Sequence, residues 1–312
     1  MVTNGAYGNI WSLIPLADWP AIMKIHYQAL SIFLFRALFL SLLGAPVSAQ
    51  SYVFAPLPME EPEAVIRQYK PFLAHLERKT GLHFQVVYSE DNAELLRKFR
   101  DGEVDIAYLG PLPYVELKAA YPAAEPVVHF LEKSGKAKYT CALFTAGEGN
   151  PKAKSGKARV ALTQPLSTCG YLAADALLEQ QQHIDIEQLR YRYLGKHDEA
   201  VLSVVRGDFE WGAAKSSIVR RYENLGIRIV RETAELPSFS LVVNGKRMPK
   251  AHIEAIRVAL TNLRPLVSLA DASYTGTWGE NVRYGVLPAT DADFDPVRKM
   301  RRNTRIPEQG NY

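Results

Sequence analysis

Residues 93–107, AELLRKFRDGEVDIA, and residues 198–212, DEAVLSVVRGDFEWG, carry one pattern twice. At a constant offset Glu94 matches Glu199, Leu96 matches Val201, Phe99 matches Val204, Gly102 matches Gly207 and Glu103 matches Asp208. Each copy reads as a short helix stopped by a glycine, an acidic turn and a strand. Two readings follow: a generic αβ unit met twice, or two similar lobes whose strand ends face one cleft. Ligands of doubly wound sheets lie beyond the carboxyl ends of the strands. On the second reading Tyr108–Gly110 and Ala213–Ser217 therefore stand on opposite walls.

The flanking sequence continues the alternation. SYVFAPL (51–57) is strand-like, and residues 60–81 follow with Val65, Ile66, Tyr69, Phe72, Leu73 and Leu76 at helical spacing before Gly81. LHFQVVY (82–88), KYTCALFTA (138–146), ARVALT (158–163), IRIVRE (227–232) and FSLVVNG (239–245) read as strands, and PKAHIEAIRVALTNL (249–263) as a long amphipathic helix. Strands alternating with helices over this length predict an α/β class with mostly parallel sheets. A chain of 312 residues, 47% hydrophobic, has the material for one large or two modest domains.

The 37 basic residues against 33 acidic ones give a charge of +4, and the basic residues are scattered rather than gathered in a run. That argues against a nucleic-acid partner and is compatible with a small anionic ligand. From Met23 the sequence MKIHYQALSIFLFRALFLSLLGAPVSAQ has a basic start, an apolar stretch from Ala29 to Leu43 and a small-residue exit at Val47-Ser48-Ala49. This is the order of a secretory signal. We expect residues 1–49 to be an extension plus signal, with initiation at Met23, cleavage near Ala49 and a periplasmic mature protein. A single membrane anchor is the competing reading, although Arg36 interrupts the apolar stretch. The even cysteine count, Cys141 and Cys169, raises the prospect of a disulfide in an exported chain.

PLSTCG (165–170) separates a strand-like run from a helix-like one. Ser167 and Thr168 are favoured helix caps. The same hydroxyls, with free first-turn amides and the helix dipole, also make an anion cradle. Both readings stand on these residues alone. His197, in LGKHDEAVL, sits where a strand ends and a helix begins. There it is either a helix-start residue or a donor to an oxyanion, whose charge would favour the protonated ring. Lys196 and Lys215 are further candidates for positive charge. A triad of Ser167, His197 and Asp198 or Asp175 lacks the Gly-x-Ser-x-Gly elbow. Cys169 as a catalytic thiol would be prone to oxidation after export. No metal-ligand spacing, phosphate loop or dinucleotide fingerprint occurs. We expect no catalytic residues, no metal and no cofactor.

Five segments in order, YKPFLAHLERKTG (69–81), GEVDIAYLGPLPYV (102–115), QPLSTCGY (164–171), GKHDEAVL (195–202) and YGVLPATDADFDPV (284–297), together resemble the PhnD-like family. These are periplasmic substrate-binding proteins of ABC transporters for phosphate, phosphite and phosphonates. The resemblance implies the type II periplasmic binding-protein fold, two doubly wound α/β lobes joined by hinge strands. Lobe I would comprise about 51–137 and 243–312, and lobe II about 138–242. It implies that Ser167, Thr168, Cys169 and Gly170 cradle the phosphoryl oxygens, with His197 and Tyr108, or its neighbour Leu109, beside them. Where aminophosphonate binders resemble one another in placing two acids toward the amine, this chain has Ser217 and Phe239. The implied ligand is thus a small oxyanion without an amino group. Cys169 replaces a hydroxyl, and either faces the ligand or pairs with Cys141. The implied protein is a monomer, not an enzyme, that hands its ligand to a membrane permease. A partnership with a membrane sensor kinase, and a secreted hydrolase using Ser167, remain as alternatives.

Overall fold

The computed structural model describes residues 50–58, 62–147, 158–302 and 304–312. The expected signal, the start at Met23 and the cleavage near Ala49 lie outside these residues. Among the described residues no helix is long and apolar enough to cross a membrane.

In chain order the first lobe is built from β1 (Ser51–Ala55), α1 (Pro62–Thr80), β2 (His83–Val86), α2 (Asn92–Arg100), β3 (Ile106–Leu109), α3 (Pro111–Ala120) and β4 (Ala124–Phe130). The chain crosses through β5 (Lys138–Tyr139). It then forms β6 (Cys141–Ala146), β7 (Arg159–Leu162), α4 (Ala173–Gln182), β8 (Arg190–Tyr193), α5 (His197–Val205), β9 (Trp211–Lys215), the short α6 (Ser216–Val219) and β10 (Ile227–Glu232). It returns through β11 (Leu236–Pro237) to β12 (Ser240–Asn244), α7 (Lys250–Thr261), α8 (Leu269–Thr275), β13 (Val286–Pro288) and α9 (Asp295–Arg301).

The sheets have matching orders, β2-β1-β3-β12-β4-β13 and β8-β7-β9-β6-β10. In each, three strands joined by helical crossovers are parallel. The strand that has just arrived from the other lobe, β12 or β6, then pairs antiparallel with the third. The sheets are therefore mixed rather than mostly parallel, because the returning strand, β12 or β6, inserts antiparallel between strands that crossovers within one lobe have laid parallel, β3 and β4 or β9 and β10. Strands β5 and β11 pair antiparallel at the two chain crossings and form the hinge.

The expected division at 242/243 falls inside β12, which lies wholly in the first sheet. The C-terminal residues, expected with the first lobe, run along the second: Asn311 exchanges hydrogen bonds with the backbone of Tyr191 on β8, and the Tyr193 hydroxyl donates to Pro307 O. One buried apolar cluster spans the first lobe and continues through Tyr139, Cys141, Cys169 and Leu172 into the second.

The doubled pattern folds the same way twice. Gly102 and Gly207 end α2 and α5 with φ of +78° and +79°. The next amide in each copy, Glu103 N or Asp208 N, donates back to Lys98 O or Ser203 O at 2.9 Å, the six-to-one bond of a Schellman stop. The chain turns sharply there and enters β3 or β9. Cap selection at the front of α2 falls to Asp91, whose side chain accepts from Glu94 N at 2.8 Å, leaving Asn92 as the first helical residue. A Cβ at Gly207 meets nothing within 4 Å, so substitution there tests the backbone conformation alone. We expect Gly207→Ala to lower unfolding stability by about 1–2 kcal/mol, read from the midpoint of urea denaturation. An unchanged midpoint would remove the left-handed stop as a requirement of the fold.

Candidate functional site

Between the lobes lies a cleft enclosing about 40 Å³. One water needs roughly 10–15 Å³ on the same measure, so the space suits a handful of heavy atoms. Its second-lobe wall is the chain between β7 and α4. Leu166 adopts a left-handed φ of 59°, a conformation that costs a bulky residue about 1–2 kcal/mol. The tight turn Thr168–Leu172 then leads into the helix. Gly170 is required by close approach: a Cβ there would stand 2.9 Å from both Gln164 O and Thr163 Oγ1. Cys169 is bonded to Cys141 at the start of β6, with Cα atoms 5.1 Å apart. The bridge fastens the turn to the sheet, and closing a loop of this size favours the folded state by roughly 3–4 kcal/mol in the chain-entropy account.

Ser167 caps the turn through its backbone only; its hydroxyl makes no capping bond, and the residue lines the cleft. Thr168 is engaged differently. Helix α3 begins Pro111-Leu112-Pro113, so its first turn offers one amide where most helices offer three. That amide, Leu112 N, donates across the cleft to Thr168 Oγ1 at 3.0 Å. Thr168 also shares a hydrogen bond with the Tyr139 hydroxyl, whose ionisation burial opposes. Two further bonds span the lobes: Asn92 Nδ2 to Pro165 O at 3.1 Å and Gln164 Nε2 to Pro58 O at 2.6 Å. The lobes thus touch around the cleft in a closed arrangement.

His197 opens α5 and lines the cleft, half-buried. Its Nδ1 accepts the backbone N–H of Lys215 at 3.1 Å, so the ring is neutral with its hydrogen on Nε2. Burial first, and the Lys215 ammonium second, push its pKa down to about 4. Those two effects oppose the charged ring expected beside an oxyanion. Lys196 and Lys215 also line the cleft, and among the described residues no carboxylate does. Two lining residues hold a buried polar atom without a hydrogen-bond partner among the described residues, Thr163 Oγ1 and Asn92 Oδ1.

Of the expected residues, Ser167, Thr168, Cys169, His197 and Phe239 meet at the cleft. Gly170 shapes it from behind. Tyr108 is buried and stacks flat on Phe239, with centroids 5.2 Å apart, so it supports the wall without lining it; Leu109 is also buried. Ser217 lies elsewhere, exposed on a separate hollow with Lys133, Lys136 and Arg220. Strand β9 ends at Lys215 and α6 begins at Ser216, so the helical turn carries Ser217 out of line. Sequence reasoning missed Thr163, Gln164, Tyr139 and Asn92. Proximity to 165–170 could have marked Thr163 and Gln164, and proximity to the doubled motif Asn92; no local signal marks Tyr139. A second Ser-His-Asp row, Ser240 Oγ to His129 Nδ1 at 2.7 Å and His129 Nε2 to Asp293 at 3.3 Å, is closed to substrate because Ser240 is fully buried.

Residues 54–293 match the profile of the family described as ABC transporter, phosphonate, periplasmic substrate-binding protein. The chain belongs to this family. Members of the phosphonate-binding family supply the ligand-capturing component of an importer, which gives this chain a small ligand and a membrane permease as partners. A curated relative, the phosphate-import protein PhnD of Mycolicibacterium smegmatis, is 24% identical over 276 residues, covering 80% of this chain and 85% of its own. Two solved structures share the fold. PhnD1 of Prochlorococcus marinus, in complex with methylphosphonate, has a TM-score of 0.67 at 14% identity, covering 81% of this chain and 97% of that one. The binding component of a phosphonate ABC transporter from Pseudomonas aeruginosa has 0.67 at 16%, covering 81% and 86%. The type II binding-protein fold of two lobes follows from these matches and from the paired sheets.

The depressed pKa of His197 makes a stability statement. As pH falls below about 6.5 the unfolded chain takes up a proton on this ring, while the folded ring stays neutral until about 4. The folded state therefore loses stability across that window and gains nothing from this group above it. We expect His197→Gln to lose less stability than the natural protein between pH 7 and pH 5, by roughly 1–2 kcal/mol, in urea titrations at the two pH values. Parallel losses in both proteins would contradict the buried neutral ring.

Proposed function

We propose that this chain captures a small phosphorus oxyanion, of the phosphate, phosphite or alkylphosphonate type and without an amino group, by closure of two lobes. It then presents the closed form to its permease. The lobes we have in mind are the two sheet units, about 51–137 with most of 240–312 and about 138–239. Residues 23–49 serve as an export signal, begun at Met23 and cleaved near Ala49.

The observation that carries this reading is the charge of the lining: Lys196 and Lys215 face the cleft, with the neutral His197 offering its Nε2 hydrogen, and no carboxylate is among its described residues. A dianion gains from that field, whereas a ligand ammonium finds no counter-charge. Ser167 contributes a hydroxyl not spent on capping, and the enclosed volume fits one tetrahedral ion with a short substituent. The phosphate named for the mycobacterial relative and the methylphosphonate bound to PhnD1 belong to the same chemical class. The protein performs no chemistry on the ligand: His197 Nδ1 is occupied by the Lys215 amide. It binds as a monomer, and neither nucleic acid nor a cofactor takes part.

Closure shifts an open–closed equilibrium only as far as the ligand adds contacts in the closed form. A ligand at 100 times its dissociation constant stabilises the folded protein by about 2.7 kcal/mol, visible in a thermal-shift panel. Phosphate, phosphite or methylphosphonate should raise the melting temperature, and 2-aminoethylphosphonate should not. Ser167→Ala and His197→Ala should each weaken the effect, and the ligand should be recovered intact. A panel in which no oxyanion acts while a cationic or apolar compound does would overturn the reading.

A further inference from the structure

Lys215 ends β9 at the floor of the cleft, with its side chain 13% exposed. Its Nζ stands 2.7 Å from both carboxylate oxygens of Glu132. The same atom lies 5.3 Å from the centre of the Tyr139 ring and 5.5 Å from that of Phe239. Ser238 Oγ donates to Glu132 from the other side at 3.2 Å. A carboxylate backed by a hydroxyl donor and flanked by two aromatic faces is the chemistry that receives an ammonium group. Here the ammonium is the protein's own.

We infer that Lys215 is a specificity-determining residue: its ammonium fills an amine-binding cage made by Glu132, Tyr139 and Phe239, and so excludes aminoalkyl ligands while leaving the cleft open to a bare oxyanion. This rests on the oxyanion reading of the same cleft and names what that reading leaves out. Lys215 lines the cleft and Glu132 does not, so the lysine stands between the ligand space and the carboxylate. An entering amino group meets a like charge and an occupied cage. An entering oxyanion meets the ammonium at close range, with Glu132 reducing but not reversing its field. Ser217, the position expected to govern amine recognition, faces a neighbouring hollow, onto which Glu132 and Tyr139 also open from the far side of Lys215. The discriminating group lies two residues earlier in the chain.

The cage is complete without the lysine, so emptying it should convert an excluding site into an accepting one. The test is calorimetric titration of the natural protein, Lys215→Ala, Glu132→Gln and the double variant. The probes are 2-aminoethyl- and 3-aminopropylphosphonate, against ethyl- and propylphosphonate as partners of similar shape without the amine. The natural protein should prefer the alkyl compounds by at least about 100-fold, and Lys215→Ala should move that ratio toward the amino compounds by at least about tenfold. The double variant should lose the gain, because the carboxylate is gone. An unmoved ratio in Lys215→Ala, or a gain that survives in the double variant, overturns the inference.

If Lys215→Ala does not fold with its carboxylate unpaired, Glu132→Gln decides. With the ammonium no longer neutralised, it should bind methylphosphonate at least about threefold more tightly in low salt and amino compounds no better. Weaker or unchanged methylphosphonate binding in that variant overturns the inference as well. Failure of the natural protein to bind any oxyanion is a separate result, and it removes the underlying reading together with this one.

Discussion

The hydroxyl of Thr168 holds the two lobes together at the point where the ligand space begins. Its partner, the amide of Leu112, is the one hydrogen-bond donor left in the first turn of α3 after Pro111 and Pro113 have removed theirs. An amide of that kind, buried without a partner, would cost about 1–3 kcal/mol. Closure of the lobes supplies the partner. The bonds from Asn92 to Pro165 O and from Gln164 to Pro58 O repeat the arrangement, each joining a side chain of one lobe to a carbonyl of the other. In this closed arrangement a small number of specific polar contacts join the lobes beside the apolar cluster that crosses between them, and a ligand shifts such a balance only by its differential contacts.

Thr168 can play this part because the turn that carries it is fixed. The bond from Cys169 to Cys141 ties the turn to β6, and Gly170 lets it pass within contact distance of Thr163 and Gln164. A cradle held in place before the ligand arrives loses little freedom on binding, which saves affinity. Charge is arranged with the same economy. The cationic side chains reach the lining, while Glu132 sits behind Lys215 and adjusts the field from outside the ligand space. His197 is held neutral, because burial and Lys215 both oppose its charge.

Much of this was legible in the chain. The matched segments at 93–107 and 198–212 carry the helix, glycine stop and strand of each lobe, since a left-handed glycine and an apolar strand are local requirements. PLSTCG, by its short hydroxyls, and His197, by its place between strand and helix, were legible as candidates for the cleft they line. Other features depend on distant pairings that no local pattern carries. The sheets are mixed because β12 and β6 arrive from opposite lobes. Tyr108 turned inward because β3 is buried on both faces, so its apolar run does not say which face meets the cleft. Ser217 lies outside the cleft because the strand gives way to a helix one residue before it, and Lys215 lines the cleft instead. Thr168 lines the cleft, and its hydroxyl also accepts from the neighbouring lobe, a pairing that no local pattern carries. The tail from 304 onward joined the second lobe through Asn311, a contact set by the edge of β8 rather than by its own sequence.

An oxyanion is expected inside the closed cleft. A crystal structure of the protein grown with methylphosphonate tests this most directly. Predicted is density for one phosphonate inside the closed cleft, with oxygens at hydrogen-bond distance, about 2.7–3.2 Å, from Ser167 Oγ and His197 Nε2, and with Lys215 still paired to Glu132. A phosphonate bound outside the cleft, or a closed cleft holding a ligand that touches neither Ser167 nor His197, would contradict it.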